Sequence, residues 1–385
     1  MPFRVLVVDD SNFFQHRLKD IINEHPELKV VGIASNGREA VDKAAELKPD
    51  IITMDFEMPV MDGVTAIKHI MSNRRVPILM FSSLTYEGAK ITLDALAAGA
   101  LDFIPKDFAE VSRNSEALKK KLHERLITLA GSGNRPTPAA PPAPATSSMS
   151  STAGITSSFK PLSSPAPLTR ASSPVAEEPI RSSSAVGSAS DSYRLKNKPK
   201  LLVIGASTGG PVALAEVLMA LPANFPLPIV LVQHMPENFT KAFAERLNKQ
   251  CHIRVREAVD GDQLQPGLAL LAPGGKQLML DKRNGGSVRI LPDDERVNYK
   301  PSLDITFGSA ANNYADKVLG VVLTGMGSDG CNGARLLKEA GSSLWSQDEA
   351  SCVIYGMPMA VARAGLTDKV LSLKDIGPRL VKELM

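Results

Sequence analysis

Cysteine and tryptophan are scarce in this chain, at three and one among 385 residues. Cys251, Cys331 and Cys352 stand far apart with no Cys-x-x-Cys pair, which argues against a disulfide framework and against a zinc site. They read as buried apolar residues of a reducing compartment. Long apolar runs are missing as well. The stretch Met1 to Val8 meets two acids at Asp9 and Asp10, too short and too quickly charged for a signal peptide or a membrane span. A cytoplasmic protein without direct membrane insertion is expected. Charge of one sign is also lacking: the formal net charge is +3, and the basic residues are spread along the chain, so no nucleic-acid footprint is suggested.

What the chain does have is the ordinary material of a folded protein, with 43% hydrophobic and 22% charged residues, enough to bury cores. Its length accommodates two domains and a connector. From Gly131 to Pro199 the sequence is dominated by Pro, Ser, Ala and Thr, a composition that buries too little apolar surface to offset its ordering entropy. We read residues 131–199 as a disordered linker between a domain at 1–130 and another at 200–385.

Before the linker, Val/Ile/Leu-rich runs at 4–8, 30–34, 51–54, 78–82 and 101–104 alternate with helical stretches at 12–24, 37–47, 63–72, 86–98 and 115–130. That alternation predicts a doubly wound parallel sheet with helices on both faces. Beyond the linker it resumes, with strands expected at 201–206, 228–233, 317–324 and 342–345 and helices at 211–220, 238–249, 303–314 and 330–340. Between His252 and Leu291 the short runs punctuated by Gly and Pro suggest antiparallel hairpin structure added to the second sheet.

In such folds ligands sit at the carboxyl ends of the strands. Asp9 and Asp10 follow the first strand and Asp55 the third, which brings three acids to one edge. So much negative charge calls for a cation, and carboxylate oxygens favour Mg²⁺. Ser82 ends the fourth strand and Lys106 follows the fifth, so a hydroxyl and an ammonium converge there. Together these groups could hold a phosphoryl on Asp55. The plainer alternative is that strand-end acids merely start helices.

The second half places a hydroxyl, an imidazole and a carboxylate at three strand ends. Ser207 lies in a Gly-rich turn before a helix that starts at Pro211, His234 ends the next strand, and Asp329 follows another. A serine becomes a nucleophile when an imidazole takes its proton, and the imidazole needs an acid to fix its tautomer. The order Ser, His, Asp differs from that of α/β-hydrolases. Other readings stay open here: Gly205 to Gly210 as a phosphate-cradling turn, His252 as a rival base, and Asp329 as a helix N-cap.

Longer motifs carry a resemblance. Val7-Val8-Asp9-Asp10-Ser11, Met54-Asp55-Phe56-Glu57-Met58-Pro59-Val60-Met61-Asp62-Gly63, Met80-Phe81-Ser82-Ser83 and Asp102-Phe103-Ile104-Pro105-Lys106 resemble, in order, the motifs of response-regulator receiver domains. The resemblance implies a flavodoxin-like fold with Asp55 as phosphoacceptor, and Mg²⁺ held by Asp10, Asp55 and the Glu57 backbone carbonyl with Asp9 assisting. It further implies phosphoryl contacts from Ser82 and Lys106 and a switch aromatic at Phe103. Asp107 stands where many receivers have Pro.

In the second half, Gly205-Ala206-Ser207-Thr208-Gly209-Gly210-Pro211, Gln233-His234-Met235-Pro236, Lys300-Pro301-Ser302-Leu303-Asp304, Leu323-Thr324-Gly325-Met326-Gly327-Ser328-Asp329-Gly330 and Tyr355-Gly356-Met357-Pro358 resemble the bacterial chemotaxis protein-glutamate methylesterases. That resemblance implies Ser207 as nucleophile, His234 as base, Asp329 as its orienting acid, and the backbone N–H groups of Met326 and His234 as oxyanion donors. It implies no cofactor for the esterase reaction. The partners it implies are chemoreceptor cytoplasmic domains as substrate and a chemotaxis histidine kinase as phosphodonor, with a monomeric chain that deamidates receptor glutamines as well. A response regulator with DNA-binding output is opposed by the lack of a helix-turn-helix pattern. A purely protein-binding output is opposed by the intact Ser, His and Asp.

Overall fold

The computed structural model describes residues 1–106, 115–132, 195, 197–283, 286–292 and 297–385. Asp107 and residues 133–194 and 196 of the expected linker lie outside the described residues.

The N-terminal layer runs β1 (Phe3–Val8), α1 (Asn12–Glu24), β2 (Leu28–Ala34), α2 (Gly37–Leu47), β3 (Ile51–Asp55), α3 (Gly63–Asn73), β4 (Ile78–Ser82), α4 (Tyr86–Ala97), β5 (Asp102–Pro105) and α5 (Glu116–Ser132). The strands pair in parallel in the order β2-β1-β3-β4-β5. The central strands are mostly apolar because helices cover both faces, and Val5, Leu6 and Val7 are fully buried. The helices answer with apolar stripes: α1 buries Phe14, Leu18, Ile21 and Ile22, and α5 buries Leu118, Leu122, Leu126 and Leu129, spacings that fall on one helical face. Asp62 accepts from the Thr65 N–H at 2.9 Å and so caps α3. Helix α5 continues through Gly131 and Ser132, which had been expected to open the linker. The Ser132 hydroxyl donates back to the Leu129 carbonyl at 2.7 Å and extends the last turn.

The C-terminal layer runs β6 (Leu201–Ala206), α6 (Gly210–Met219), β7 (Ile229–Gln233), α7 (Glu237–Gln250), β8 (Arg254–Glu257), β9 (Leu268–Leu271), β10 (Gln277–Asp281), β11 (Ser287–Leu291), α8 (Leu303–Tyr314), β12 (Val318–Val322), α9 (Cys331–Glu339), β13 (Ser343–Gln347), α10 (Met357–Arg363), β14 (Lys369–Leu371) and α11 (Leu373–Leu384). Seven strands form one parallel sheet, in the order β14-β13-β12-β6-β7-β9-β8. The expected antiparallel hairpin exists as β10 and β11, but it forms a two-stranded sheet of its own. The runs before it, β8 and β9, join the main sheet in parallel. The fully buried Leu268–Leu271 explains the difference: a strand covered on both faces need show no alternation.

Both layers belong to one compact unit. Each sheet reverses its strand order beside its first strand, between β1 and β3 and between β6 and β12. The loops leaving these strands open the crevice in which doubly wound folds bind ligands. Among the described residues no helix is long and apolar enough to cross a membrane.

Candidate active site

At the first switch point, ligand oxygens of Asp9, Asp10 and Asp55 lie within 4.8 Å of one another. Lys106, just past β5, sets its ammonium 2.7 Å from Asp55 Oδ2 and 2.9 Å from Asp9 Oδ2. Burial pushes the Asp55 carboxyl up to about 6, and Asp9 adds to the rise while Lys106 opposes it. Burial also raises the Asp9 carboxyl against the pull of Lys106. One ammonium therefore does not compensate three carboxylates, and an oxygen-only donor set of this kind suits a hard divalent cation.

Ser82 is not turned toward this cluster. Its buried hydroxyl is paired with Thr92 Oγ1 on α4 and lies 3.2 Å from the Ser83 carbonyl, because a buried hydroxyl takes whatever partner is in reach. Phe103 is likewise turned inward, 7% exposed, and its ring stacks on Phe239 of α7 with centroids 4.5 Å and planes 7° apart. Its neighbour Asp102 accepts a hydrogen bond from Thr208 Oγ1 at 2.7 Å and pairs with Arg125. Around this core lie Arg246 with Asp94, Tyr86 with Glu245, and Asn238 Nδ2 donating to the Leu84 carbonyl at 2.8 Å.

Asp102 and Phe103 border a cavity of about 460 Å³ whose walls also include Ser207, Thr208, His234 and Tyr299. Strand β6 delivers Ser207 into a turn in which the Gly210 N–H donates to the Ser207 carbonyl at 2.7 Å. Gly209 holds φ at +77°, which disfavours a side chain. A Cβ on Gly210 would stand 2.0 Å from Gln233 Oε1. Gln233 Nε2 donates to the carbonyls of both Ser207 (2.9 Å) and His234 (3.2 Å), tying the two loops together.

Asp329 Oδ2 accepts from His234 Nε2 at 2.7 Å. The same carboxylate takes the Ser302 hydroxyl (2.8 Å) and the N–H groups of Leu303 (2.6 Å) and Asp304 (3.1 Å), at the N-terminus of α8. Burial works to raise this carboxyl, but the His234 bond and the two amides hold it below its ordinary range, as donors aimed at a carboxylate do. With Nε2 committed to Asp329, the other imidazole nitrogen, Nδ1, is buried and unpartnered. Among the described residues Ser207 Oγ makes no hydrogen bond either. The structure thus joins His234 to Asp329 and puts Ser207 in the same cavity, while the Ser207 to His234 link is open.

One expected role meets a competing contact. The His234 N–H donates to the Ala206 carbonyl at 3.1 Å, as a continuation of the β6/β7 ladder, so it is committed and not free to receive an oxyanion. The Met326 N–H has no acceptor among the described residues. His252 is exposed and stands apart from the cavity walls. Cys352 is buried as expected, whereas Cys251 and Cys331 are partly exposed; none of the three forms a disulfide. Sequence reasoning had missed Gln233, Tyr299 and the pair Asp102 and Thr208. Gln233 could have been singled out by its place beside His234; Tyr299 carried no local signal.

A carboxylate cluster of receiver type in one α/β layer, and a Ser, His, Asp constellation in the other, define a response regulator with a hydrolase-like output half. The response regulator receiver domain model matches residues 5–117, and the CheB methylesterase model matches residues 202–380. Protein-glutamate methylesterase/protein-glutamine glutaminase 1 of Saccharophagus degradans is 56% identical over 384 residues, covering 100% of each chain. The corresponding protein of the group 1 operon of Pseudomonas putida is 57% identical over 386 residues and 99% of each. The crystal structure of the Thermotoga maritima CheB methylesterase catalytic domain is 41% identical, spans 48% of this chain and 99% of that one, and has a TM-score of 0.47. The chain belongs to the protein-glutamate methylesterase/protein-glutamine glutaminase family, as the resemblance in its motifs implied.

Proposed function

We propose that this chain hydrolyses glutamate methyl esters on chemoreceptors, and deamidates receptor glutamines, under control of a phosphorylated receiver. In this reading residues 1–130 are the receiver, 131–199 a tether, and 200–385 the hydrolase, working in the cytoplasm on receptor cytoplasmic domains. The observation that carries the chemistry is the buried, unpartnered Nδ1 of His234 on an imidazole whose Nε2 is held by Asp329.

Asp329, ionised and saturated with donors, requires the imidazole proton on Nε2. Nδ1 then holds the lone pair and takes the Ser207 proton as Oγ attacks the ester carbonyl. Apo catalytic hydrogen bonds are often open and close on substrate, in keeping with the unpaired Ser207. The tetrahedral oxyanion is met by the Met326 N–H, a contribution of about 3–4 kcal/mol. Protonated His234 returns its proton to the leaving methoxide, or to the departing nitrogen of a glutamine. Water then cleaves the acyl-serine by the same base and leaves a glutamate carboxylate.

In the receiver, Asp10, Asp55 and the Glu57 carbonyl, assisted by Asp9, would hold Mg²⁺, which when bound neutralises charge on the incoming phosphoryl group. Asp55 accepts that group from a chemotaxis histidine kinase. Lys106 pairs with it, and Ser82 leaves Thr92 to reach it. Withdrawal of Phe103 from Phe239 and of Asp102 from Thr208 then uncovers Ser207. Methanol release from methylated receptor membranes tests the reading: the wild-type chain releases it and Ser207→Ala does not, and equal release from both would overturn it.

A further inference from the structure

Tyr299 lies just before α8, outside any strand or helix, and its ring is stacked on the His234 imidazole with centroids 4.3 Å and planes 11° apart. Its backbone is anchored: the Tyr299 carbonyl accepts from Gln277 Nε2 at 2.7 Å, and Gln277 Oε1 accepts from the Ser302 N–H at 2.9 Å. Ser302 in turn donates its hydroxyl to Asp329. One short stretch, 299–302, therefore carries both the ring against the imidazole face and a donor to the acid on its edge. Burial and the charge of Asp329 raise the Tyr299 phenol above its ordinary range, so it is a neutral ring and not a second base.

We infer that Tyr299 is a positioning residue for His234: its stacked ring fixes the imidazole plane so that Nδ1 faces Ser207. The inference rests on the hydrolase reading above. A single hydrogen bond at Nε2 fixes one point and leaves the ring free to tilt about it; a parallel neighbour removes that freedom. The aromatic face also presents its negative lobe to the imidazolium that forms when His234 takes the serine proton. An interaction stronger in the transition state than in the ground state acts on kcat and not on KM.

The test uses the full chain, activated with Mg²⁺ and acetyl phosphate so that receiver docking is not limiting. Two readouts are taken, methanol release and the rate at which a fluorophosphonate phosphonylates Ser207 with loss of fluoride. Tyr299→Leu lowers kcat and the phosphonylation rate about 10- to 30-fold, the range for a desolvated ring–cation contact. Its KM stays within about twofold. Tyr299→Phe keeps both rates near wild type, and Tyr299→His, a flat ring of similar footprint, recovers part of the loss. Thermal midpoints of all three establish that they are folded. Wild-type kcat in a folded Leu variant would overturn the inference, as would an equal loss in Phe and Leu, or a rise in KM alone. A wild-type chain that neither releases methanol nor takes the probe overturns the hydrolase reading instead.

Discussion

The Thr208 hydroxyl donates to Asp102 Oδ2 at 2.7 Å, so a receiver carboxylate is bonded to the residue next to the candidate nucleophile. Both side chains are buried, at 4% and 6% exposure, and the neighbouring Phe103 is stacked on Phe239. A buried hydrogen bond and an aromatic pair each contribute about 0.5–1.5 kcal/mol, so the loss of either moves a closed-to-open equilibrium about 2- to 13-fold. Asp102→Ala and Phe239→Leu are expected to raise methanol release by the unphosphorylated chain within that range and to leave the fully phosphorylated rate unchanged. Arg246→Ala is the control, since its partner Asp94 is largely exposed and such pairs contribute little. A basal rate as high in Arg246→Ala as in Phe239→Leu would refute this division of roles.

Chelation should separate the two halves. The Asp9, Asp10 and Asp55 oxygens suit a divalent cation, whereas the proposed esterase steps need none. EDTA is expected to abolish activation by a small phosphodonor while the unstimulated rate persists. Lys106→Ala should do the same with the metal present, because its ammonium, 2.7 Å from Asp55, is the cation proposed to meet the phosphoryl group. Loss of the unstimulated rate in EDTA would contradict the assignment.

Much of this arrangement was legible in the sequence because buried parallel strands read as apolar runs and the residues that end them sit at one sheet edge. Leu201–Ala206 and Ile78–Ser82 have the expected bounds, and Asp9, Asp55 and Lys106 converge as their strand-end positions implied. Local pattern failed where it had to compete with tertiary context. Leu268–Leu271, between Gly267 and Pro273, looked like hairpin material until a second covering face made it an interior strand. The His234 N–H was expected to be free, yet the ladder between β6 and β7 runs one residue further and takes it. Tyr299 and Asp102 meet His234 and Thr208 across loops far apart in the chain, and no spacing rule encodes such contacts.

Cys251, the partly exposed residue that follows α7, offers a check on the end of that helix. Burial pushes its thiol up to about 11, and the thiolate, not the thiol, is the nucleophile toward alkylating agents. At neutral pH the native chain should therefore leave Cys251 almost unmodified by iodoacetamide while the unfolded chain reacts fully. Peptide mass spectrometry reads the difference; rapid native labelling would show that the segment after α7 opens.

The acid that holds His234 yields the strictest prediction. Asp329 accepts four donors, including His234 Nε2 at 2.7 Å, and its carboxyl is held below the ordinary value of 3.8 despite burial. A depressed folded value means that its stabilisation is fully present above the unfolded value and is lost as pH falls through the folded one. Denaturant midpoints of wild type and Asp329→Asn should thus differ most at neutral pH and converge below pH 3.8. In catalysis the same substitution acts through the tautomer. An amide can turn its NH₂ toward Nε2, which drives the ring proton to Nδ1 and removes the lone pair that the proposed mechanism offers to Ser207, a change worth about 10⁴ in kcat in the serine protease case. Asp329→Asn is accordingly expected to keep the fold at neutral pH, bind receptor with unchanged KM, and lose nearly all turnover. A variant that keeps wild-type turnover would mean that Nδ1 is not the base.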